Sequence, residues 1–258
     1  MTEHERYLFD LQGYVTVPGA LDAEQLRALN AILDERLAKL SAEKTSHRFG
    51  DLLSWGAPYR ALLDNPAILP HLEALLGEHP RLDHTYLDII RGGLSPIGAT
   101  LHGGGTPYDP GQFYQFRDGR MYNGLVVIAY NLHDVNPGDG GFACVPGSHK
   151  ANLPLPKEWR DLTQPHPCVK AVTGPAGTAV LFTEALTHGP LPWRGAHDRR
   201  TIFFKYNAHC ISYAAGYYDP QTFASDELTE RQRAMLEAPN ARYGGRPTAP
   251  KPQAAKAQ

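Results

Sequence analysis

Hydrophobic residues recur at helical spacing near the start of the chain. Five leucines follow this period: Leu26, Leu29, Leu33, Leu37 and Leu40. They predict an amphipathic helix over 22–40, and Asp22 with Gln25 three positions later is typical of a capping box at its start. A second helix is predicted over 66–76 and a last one over 226–237.

From residue 82 onward the pattern changes to short β-prone runs separated by Gly, Pro, Asn and Asp. The runs cover 82–90, 124–132, 142–145, 168–172, 178–182 and 201–207. No helix-length periodicity lies between them, so the pattern favours an antiparallel barrel or jelly roll over βαβ units. The 25 Gly and 22 Pro spread along the chain suit many short strands joined by turns.

Length and composition set the class of protein. The 258 residues are 42 % hydrophobic, which predicts one domain with a sizeable core over 1–245, followed by a disordered tail over 246–258 that lacks large apolar residues. The net charge of −2 without a basic cluster argues against a nucleic-acid partner. No apolar run approaches the ~20 residues of a membrane span, and the charged start lacks a signal core, so we expect a cytoplasmic protein.

Two of the 12 histidines stand out by their context. His102 lies in LHGGG after a strand-like run, and His188 lies in LFTEALTHG directly after another. Each has a glycine as its neighbour, which lets a metal or ligand approach the backbone closely. Spacing alone leaves two interpretations open, a shared site or two unrelated polar loop residues. The three cysteines lack CxxC spacing and suggest neither a disulfide framework nor a zinc site.

Several segments resemble the phytanoyl-CoA dioxygenase (PhyH)-like family. NPGDGGFACVPGSHK (136–150) looks like the family's turn ending in PGSH, and FDLQGYVTVPGALDAEQLRAL (9–29) looks like its first strand and helix. The segment 177–201 resembles its distal half, and the resemblance runs from about residue 9 to residue 210. The family consists of Fe(II)- and 2-oxoglutarate-dependent oxygenases. It implies a mainly β, double-stranded β-helix (jelly-roll, cupin-like) fold with flanking N-terminal helices.

The resemblance also implies roles for individual residues. His102 matches the first metal-binding histidine and His188 the distal one, while Arg199 best matches the arginine that holds 2-oxoglutarate. Arg200 is the adjacent option, because side chains alternate on a strand and only one of the two arginines points inward. His149 matches the PGSH turn, where we expect a structural, hydrogen-bonded side chain. The remaining candidates are expected to be ordinary polar residues: His84, His133, His166, His197 and His209.

The sequence departs from the family at the third metal ligand. The family's first motif is H-x-D, whose Asp completes a 2-His-1-carboxylate set, but here the triplet is His102-Gly103-Gly104. We predict that Glu184, four residues before His188, supplies the carboxylate, which requires a sharp turn because a regular strand would separate the two Cα atoms by about 13 Å. Asp109 and Asp139 are weaker candidates.

Two other interpretations of this departure stay open. In the first, the position beside Gly104 receives chloride, as in the Fe(II) halogenases of this superfamily, which have Gly or Ala in place of the Asp. In the second, iron chemistry has been lost and a jelly-roll binding module remains.

The interpretation favoured by the sequence is an Fe(II)/2-oxoglutarate-dependent oxygenase that uses O2 to hydroxylate a small organic molecule. The sequence identifies neither the substrate nor the oligomeric state. The insert 106–124 is rich in Tyr, Phe and Arg, so it is either a substrate-facing lid or a surface excursion packed by its own aromatic residues.

Overall fold

Antiparallel strands dominate the computed structural model, which describes residues 1–41, 44–91 and 99–241. The strands in these ranges are β1 (Tyr14–Val17), β2 (Ser46–Phe49), β3 (Pro80–Ile90), β4 (Tyr114–Arg117), β5 (Arg120–Asn123), β6 (Val126–Asn131), β7 (Gly141–Cys144), β8 (Lys170–Ala171), β9 (Ala179–Thr183), β10 (His188–Leu191) and β11 (Arg199–Ala208). The helices are α1 (Glu3–Gln12), α2 (Ala23–Leu37), α3 (Ala57–Arg60), α4 (Leu69–Leu76) and α5 (Glu230–Met235).

Two sheets face each other. The larger has the order β1-β9-β6-β11-β3-β2 and the smaller the order β10-β7-β8, with every pair antiparallel. Phe142 of the smaller sheet meets Phe182 of the larger with ring centroids 4.6 Å apart. The predicted mainly β jelly roll is confirmed.

The two faces of the larger sheet have different partners. On β11, Ile202, Phe204 and Tyr206 belong to the core shared with the helices, whereas Phe203 belongs to the core shared with the smaller sheet. Strand β6 divides its side chains in the same way, with Val127 and Ala129 on the side of the smaller sheet. This two-residue period assigns each β11 side chain to one face.

The observed helix ends agree better with the capping residues than with the extent of the hydrophobic pattern. The predicted capping box of Asp22 and Gln25 is present, and α2 ends at Leu37. Helix α4 begins at Leu69, not at residue 66, because the Asn65 side chain accepts from the backbone of Ala67 and so builds a preceding turn. Helix α5 is shorter than predicted.

Helix α1 was missed, because only Phe9 among its side chains is buried and the hydrophobic pattern is therefore weak. Its sequence signal was the capping box that Thr2 makes with Glu5.

The six predicted strand runs all contain strands, and the sequence did not predict β2, β10 or the β4–β5 hairpin. This hairpin occupies the insert 106–124, where β4 contacts the turn at Ser148–Lys150 and β5 contacts α4. The predicted disordered tail, 246–258, lies outside the described residues. Within the described residues, none of the helices is long and apolar enough to cross a membrane.

Candidate functional site

A cavity of about 670 Å³ opens between the two sheets. The larger sheet lines it with residues of β2, β3, β9 and β11, and the smaller sheet lines it with residues of β7 and β10, together with Thr100 and His102. The polar side chains that line it include Arg48, His84, Asp88, His102, His188, Arg199 and Lys205.

The two histidines singled out by the sequence are backbone neighbours. The His102 N–H donates to the carbonyl of His188 and the His188 N–H donates to the carbonyl of His102, both at 2.9 Å. The imidazole rings are 4.2 Å apart between centroids. Residues distant in sequence thus meet as a cross-strand pair on one side of the cavity.

Glu184 reaches the same point because the chain turns where the prediction required it. The backbone of Leu186 donates to the carbonyl of Thr183 at 2.9 Å, which closes a tight turn between β9 and β10. Within this turn the Glu184 carboxylate returns toward the following strand. Its Oε1 lies 3.8 Å from Nε2 of His188.

His102, Glu184 and His188 each present one donor atom, and these three atoms lie within 4.8 Å of one another. Two ligands bound to one ion at about 2.1 Å lie about 3 Å apart when adjacent and about 4.2 Å apart when opposite, so the spacing suits a shared ion. His102 is open to the cavity, whereas Glu184 and His188 are buried. Two imidazoles and one carboxylate are the donor set typical of a non-haem Fe(II) centre.

The ionisation states suit metal binding. Burial lowers the pKa of His188 to about 4, and burial also lowers the pKa of His102, so both rings are neutral near pH 7. The His188 Nδ1 donates to the carbonyl of Leu186 at 2.6 Å, which leaves Nε2 as the free donor atom facing the cluster. Burial opposes ionisation of Glu184, but the charge and hydrogen bonds of the Lys205 ammonium outweigh it and lower the pKa of the carboxyl.

Gly103 and Gly104 serve close backbone packing. Both have positive φ angles, 76° and 123°. A Cβ at Gly103 would lie 2.7 Å from the carbonyl oxygen of Leu186, and a Cβ at Gly104 would lie 3.0 Å from the Thr187 hydroxyl. The glycines therefore let this segment pack directly on the turn that carries Glu184.

Lys205 is a cation in direct contact with the three-residue cluster. Its Nζ donates to both carboxylate oxygens of Glu184, at 3.0 and 3.1 Å, and its side chain is only 10 % exposed. Burial opposes the ammonium charge, but Glu184 outweighs burial and raises the pKa of Lys205. The sequence did not reveal this residue as part of a site, although it lies on the predicted strand 201–207.

The structure brings Arg199, and not Arg200, to the cavity. Arg199 is 4 % exposed, and its Nε is buried without a hydrogen-bond partner among the described residues. Arg200 lies on the other face of β11, where it pairs with Asp34 and Asn30 of α2. The two arginines therefore separate as strand alternation requires.

Most other candidates have structural surroundings. His149 is buried and its Nε2 donates to the carbonyl of Asp10 at 3.0 Å, away from the cluster. Asp109 and Asp139 each accept backbone hydrogen bonds within their own turns. The insert 106–124 contributes none of the described residues that line the cavity.

Sequence reasoning did not single out Arg48, Tyr86 or Asp88, which line the cavity. It predicted that His84, which also lines the cavity, is an ordinary polar residue. Arg48 donates twice to Asp88 at 2.7 Å and lies over the ring of Tyr86, and His84 pairs with Asp83. The alternation of polar and apolar residues in LDHTYLDII was the signal that could have revealed His84, Tyr86 and Asp88 as one face. Arg48 had no such signal because β2 was not predicted.

Comparisons with known proteins agree with this architecture. Residues 98–201 match the family model of phytanoyl-CoA dioxygenase (PhyH), a range that contains His102, Glu184, His188 and Arg199. A comparison with curated proteins finds no match.

Solved structures with the same fold bind iron and 2-oxoglutarate. HygX from Streptomyces hygroscopicus with nickel and 2-oxoglutarate bound is 24 % identical with a TM-score of 0.74, over 82 % of this chain and 89 % of HygX. The iron-bound form of HygX is 25 % identical with a TM-score of 0.71, over 82 % and 88 %.

The epimerase SnoN, in complex with Fe3+, alpha ketoglutarate and nogalamycin RO, is 20 % identical with a TM-score of 0.63. That match covers 92 % of this chain and 94 % of SnoN. Together with the family match over residues 98–201, these structures confirm the resemblance stated from the sequence to the PhyH-like Fe(II)- and 2-oxoglutarate-dependent oxygenases.

Proposed function

We propose that the chain uses Fe(II), 2-oxoglutarate and O2 to hydroxylate a small organic molecule. The observation that carries this proposal is the convergence of His102, Glu184 and His188 at one wall of a cavity that also contains Arg199. The cavity volume of about 670 Å³ lies in the range of small-molecule sites. The related structures, whose ligands include hygromycin B and nogalamycin RO, support a small-molecule substrate.

In this proposal His102, His188 and Glu184 hold the iron. The neutral imidazoles offer nitrogen donors, and the carboxylate offsets one of the two positive charges of the metal. The hydrogen bond from His188 to Leu186 fixes the ring orientation. The donor set therefore fits Fe(II), with Glu184 in the role that the family gives to the missing Asp.

Arg199 anchors 2-oxoglutarate through its far carboxylate. The guanidinium remains charged at any working pH and pairs with a carboxylate through two parallel hydrogen bonds. Burial lowers the pKa of Arg199 more than the nearby charge of Asp88 raises it, and no carboxylate of the described residues forms a salt bridge with the guanidinium. A bound dicarboxylate would supply that missing partner and satisfy the buried Nε.

When bound, iron and 2-oxoglutarate supply the oxidation: O2 converts 2-oxoglutarate to succinate and CO2, and one oxygen atom enters the substrate. The chain's own residues bind and orient the reactants. Phe142, Phe182 and Phe203 line the cavity and keep part of its wall apolar, which limits the access of water to the reacting groups. Arg48, His84 and Asp88 form a more exposed polar rim of the cavity, so we expect the substrate to enter past them.

Halogenation is the alternative chemistry, since Gly104 replaces the Asp of the H-x-D motif. In that reaction chloride takes the place of the carboxylate on iron. The packing of Gly104 against Thr187 and the position of Glu184 favour a protein-supplied carboxylate. The two proposals differ in chloride dependence, which a single experiment measures.

The test is anaerobic titration with Fe(II) and 2-oxoglutarate, monitored by the visible charge-transfer band of the chelate. We expect the band in the wild type at any chloride concentration. Glu184→Ala is expected to lose iron by more than the ~10–100-fold typical of an outer-shell change, whereas the matched control Asp139→Ala retains it. Gly104→Asp is not expected to restore activity to Glu184→Ala, because that position packs on Thr187.

A band that shifts with chloride, together with full iron binding by Glu184→Ala, would favour the halogenase. Absence of any band in the wild type would leave a binding module as the remaining interpretation.

A further inference from the structure

The strongest feature outside the proposed ligand set is the buried ion pair of Lys205 with Glu184. Lys205 lies on β11, which is hydrogen-bonded to β6 on one side and β3 on the other. Its backbone is therefore fixed within the larger sheet, and the ammonium reaches past the neighbouring strand β6 to the turn that follows β9 and carries Glu184. Glu184 is 4 % exposed and Lys205 is 8 % exposed.

Glu184 needs such a partner more than a strand-borne aspartate would. It lies in a turn, and a glutamate side chain has one more rotatable bond than aspartate. A carboxylate can bind a metal through one oxygen or through both, and a bidentate carboxylate occupies two coordination positions. The 2-His-1-carboxylate set depends on the positions that its three ligands leave open, because the cosubstrate and O2 need them.

We propose that Lys205 is a positioning residue that holds one oxygen of Glu184 in a hydrogen bond, so that only the other oxygen coordinates the metal. This proposal rests on the proposed function of the site. The ammonium donates to both oxygens at 3.0 and 3.1 Å, so it fixes the plane of the carboxylate. When one oxygen turns to the metal, the other keeps the Lys205 bond, and the position that a second oxygen would take stays open for 2-oxoglutarate.

The test compares metal and cosubstrate binding in Lys205→Met, with Co(II) as a spectroscopic probe whose visible absorption reports coordination number. We expect the variant to bind Co(II) within about 10-fold of the wild type, with weaker visible absorption because the freed carboxylate adds a ligand. Its affinity for 2-oxoglutarate, measured separately on the metal-loaded protein, should fall by about 10–100-fold. Lys205→Arg keeps a cationic hydrogen-bond donor at this position, so it should retain most of the wild-type Co(II) absorption and 2-oxoglutarate affinity.

Two controls separate positioning from general loss of structure. Lys150→Met removes the partly exposed pair with Asp10 outside the cavity and should change neither measurement. Because Lys205→Met leaves Glu184 buried without its cation, the pair is also tested with both charges removed. Glu184→Gln with Lys205→Met should match Glu184→Gln alone in metal and 2-oxoglutarate affinity, since Lys205 acts only through the carboxylate.

The outcomes distinguish the two proposals. A wild type that binds Co(II) and 2-oxoglutarate, with Lys205→Met unchanged in both the spectrum and the cosubstrate affinity, overturns the positioning role alone. The positioning role is also overturned if Lys205→Met lowers 2-oxoglutarate affinity by the same factor in the wild type and in Glu184→Gln. Lys205 would then act on the cosubstrate independently of Glu184. A wild type that binds neither Co(II) nor Fe(II) overturns the proposed function and the role of Lys205 with it.

Discussion

Two buried carboxylates of this fold have opposite surroundings. Asp83, on β3, is 2 % exposed and accepts hydrogen bonds from five groups: Arg81 Nη2, His84 Nδ1, Asn207 Nδ2 and the backbone N–H groups of Tyr213 and Ala214. Glu184 accepts side-chain hydrogen bonds from Lys205 alone among the described residues, and the nearest nitrogen of His188 lies 3.8 Å away.

The two carboxylates differ in how many oxygen lone pairs remain without a hydrogen-bond donor. The Asp83 oxygens are saturated by donors, so this carboxylate ties β3 to β11 and to the segment at 213–214. Glu184 keeps lone-pair capacity directed at two neutral imidazoles. Burial and a cationic neighbour are common to both sites, so neither property by itself marks a metal ligand. We propose Glu184 as the metal ligand because its carboxylate oxygens keep lone pairs that no hydrogen-bond donor among the described residues occupies.

The largest expected effect is on the free energy of unfolding and comes from removing the Asp83 carboxylate. Asp83→Ala should lower the free energy of unfolding by about 3–5 kcal/mol, because it leaves the buried Arg81 without its charged partner. Urea unfolding measures this loss. Iron affinity of the folded fraction should stay at the wild-type value, and a variant that lost iron without losing stability would break the comparison.

The next effect tests the cavity face of β11 against its helix face. Arg199→Leu should weaken 2-oxoglutarate binding by about 30-fold or more while iron binding is retained, since truncating one partner of a buried charge pair costs ~2–5 kcal/mol. Isothermal titration on metal-loaded protein measures it. Arg200→Leu is the matched control and should keep full affinity, because it loses only the contacts with Asp34 and Asn30. Equal losses in both variants would contradict the assignment of the faces.

A third prediction concerns pH. Burial lowers the pKa of His149 from 6.5 to about 4. The stability contributed by the neutral ring is complete above pH 6.5 and is lost as the pH falls toward 4, because the unfolded chain binds the proton first. Between pH 7 and pH 5 this histidine should lower the unfolding free energy by about 2 kcal/mol. His149→Gln should reduce that pH dependence, as measured by denaturant titration at the two pH values, and an unchanged slope would show that His149 is not neutral in the fold.

The smallest effect is expected at the rim. Arg48 pairs with Asp88 in a bidentate ion pair, but its side chain is 63 % exposed. Arg48→Met should therefore change the free energy of unfolding by no more than about 1 kcal/mol. Thermal unfolding at low and high salt checks this value. A larger loss of unfolding free energy would show that the Arg48–Asp88 pair stabilises the fold as a buried pair does, like that of Asp83, and not as a surface ion pair does.

The sequence predicted the double-sheet architecture and most of its strands, because short β-prone runs bounded by turn residues are local signals. The two histidines stood out by their glycine neighbours, and the family resemblance assigned them to one site. It also identified Glu184 as a candidate, since the required turn could be reasoned from the distance along a strand. Lys205 could not be found in this way. Its proposed role depends on the pairing of β11 with β3 and β6, which brings it to Glu184 across the sheet. The segment TIFFKYN alone does not predict that contact.

The missed elements have a similar cause. Strand β2 has no buried residue and, within the part of the chain that the structure describes, pairs with β3 alone, so its hydrophobic pattern is weak. Because β2 was missed, Arg48 had no predicted position. The glycines after His102 were expected to let a metal, a ligand or chloride approach the backbone closely, whereas in the fold they pack tightly against residues 149 and 184–187.

The backbone pairing of His102 with His188 also affects how the protein should respond to metal. The hydrogen bonds that hold these two residues together join main-chain atoms, and the Leu186 carbonyl orients the His188 ring, so none of these contacts depends on an ion. Metal uptake is then binding to a site that folding has already assembled, unlike a zinc finger, whose site forms only with its metal. Stabilisation should follow simple mass action, adding about 1.4 kcal/mol to the unfolding free energy for every tenfold rise in free metal above the dissociation constant.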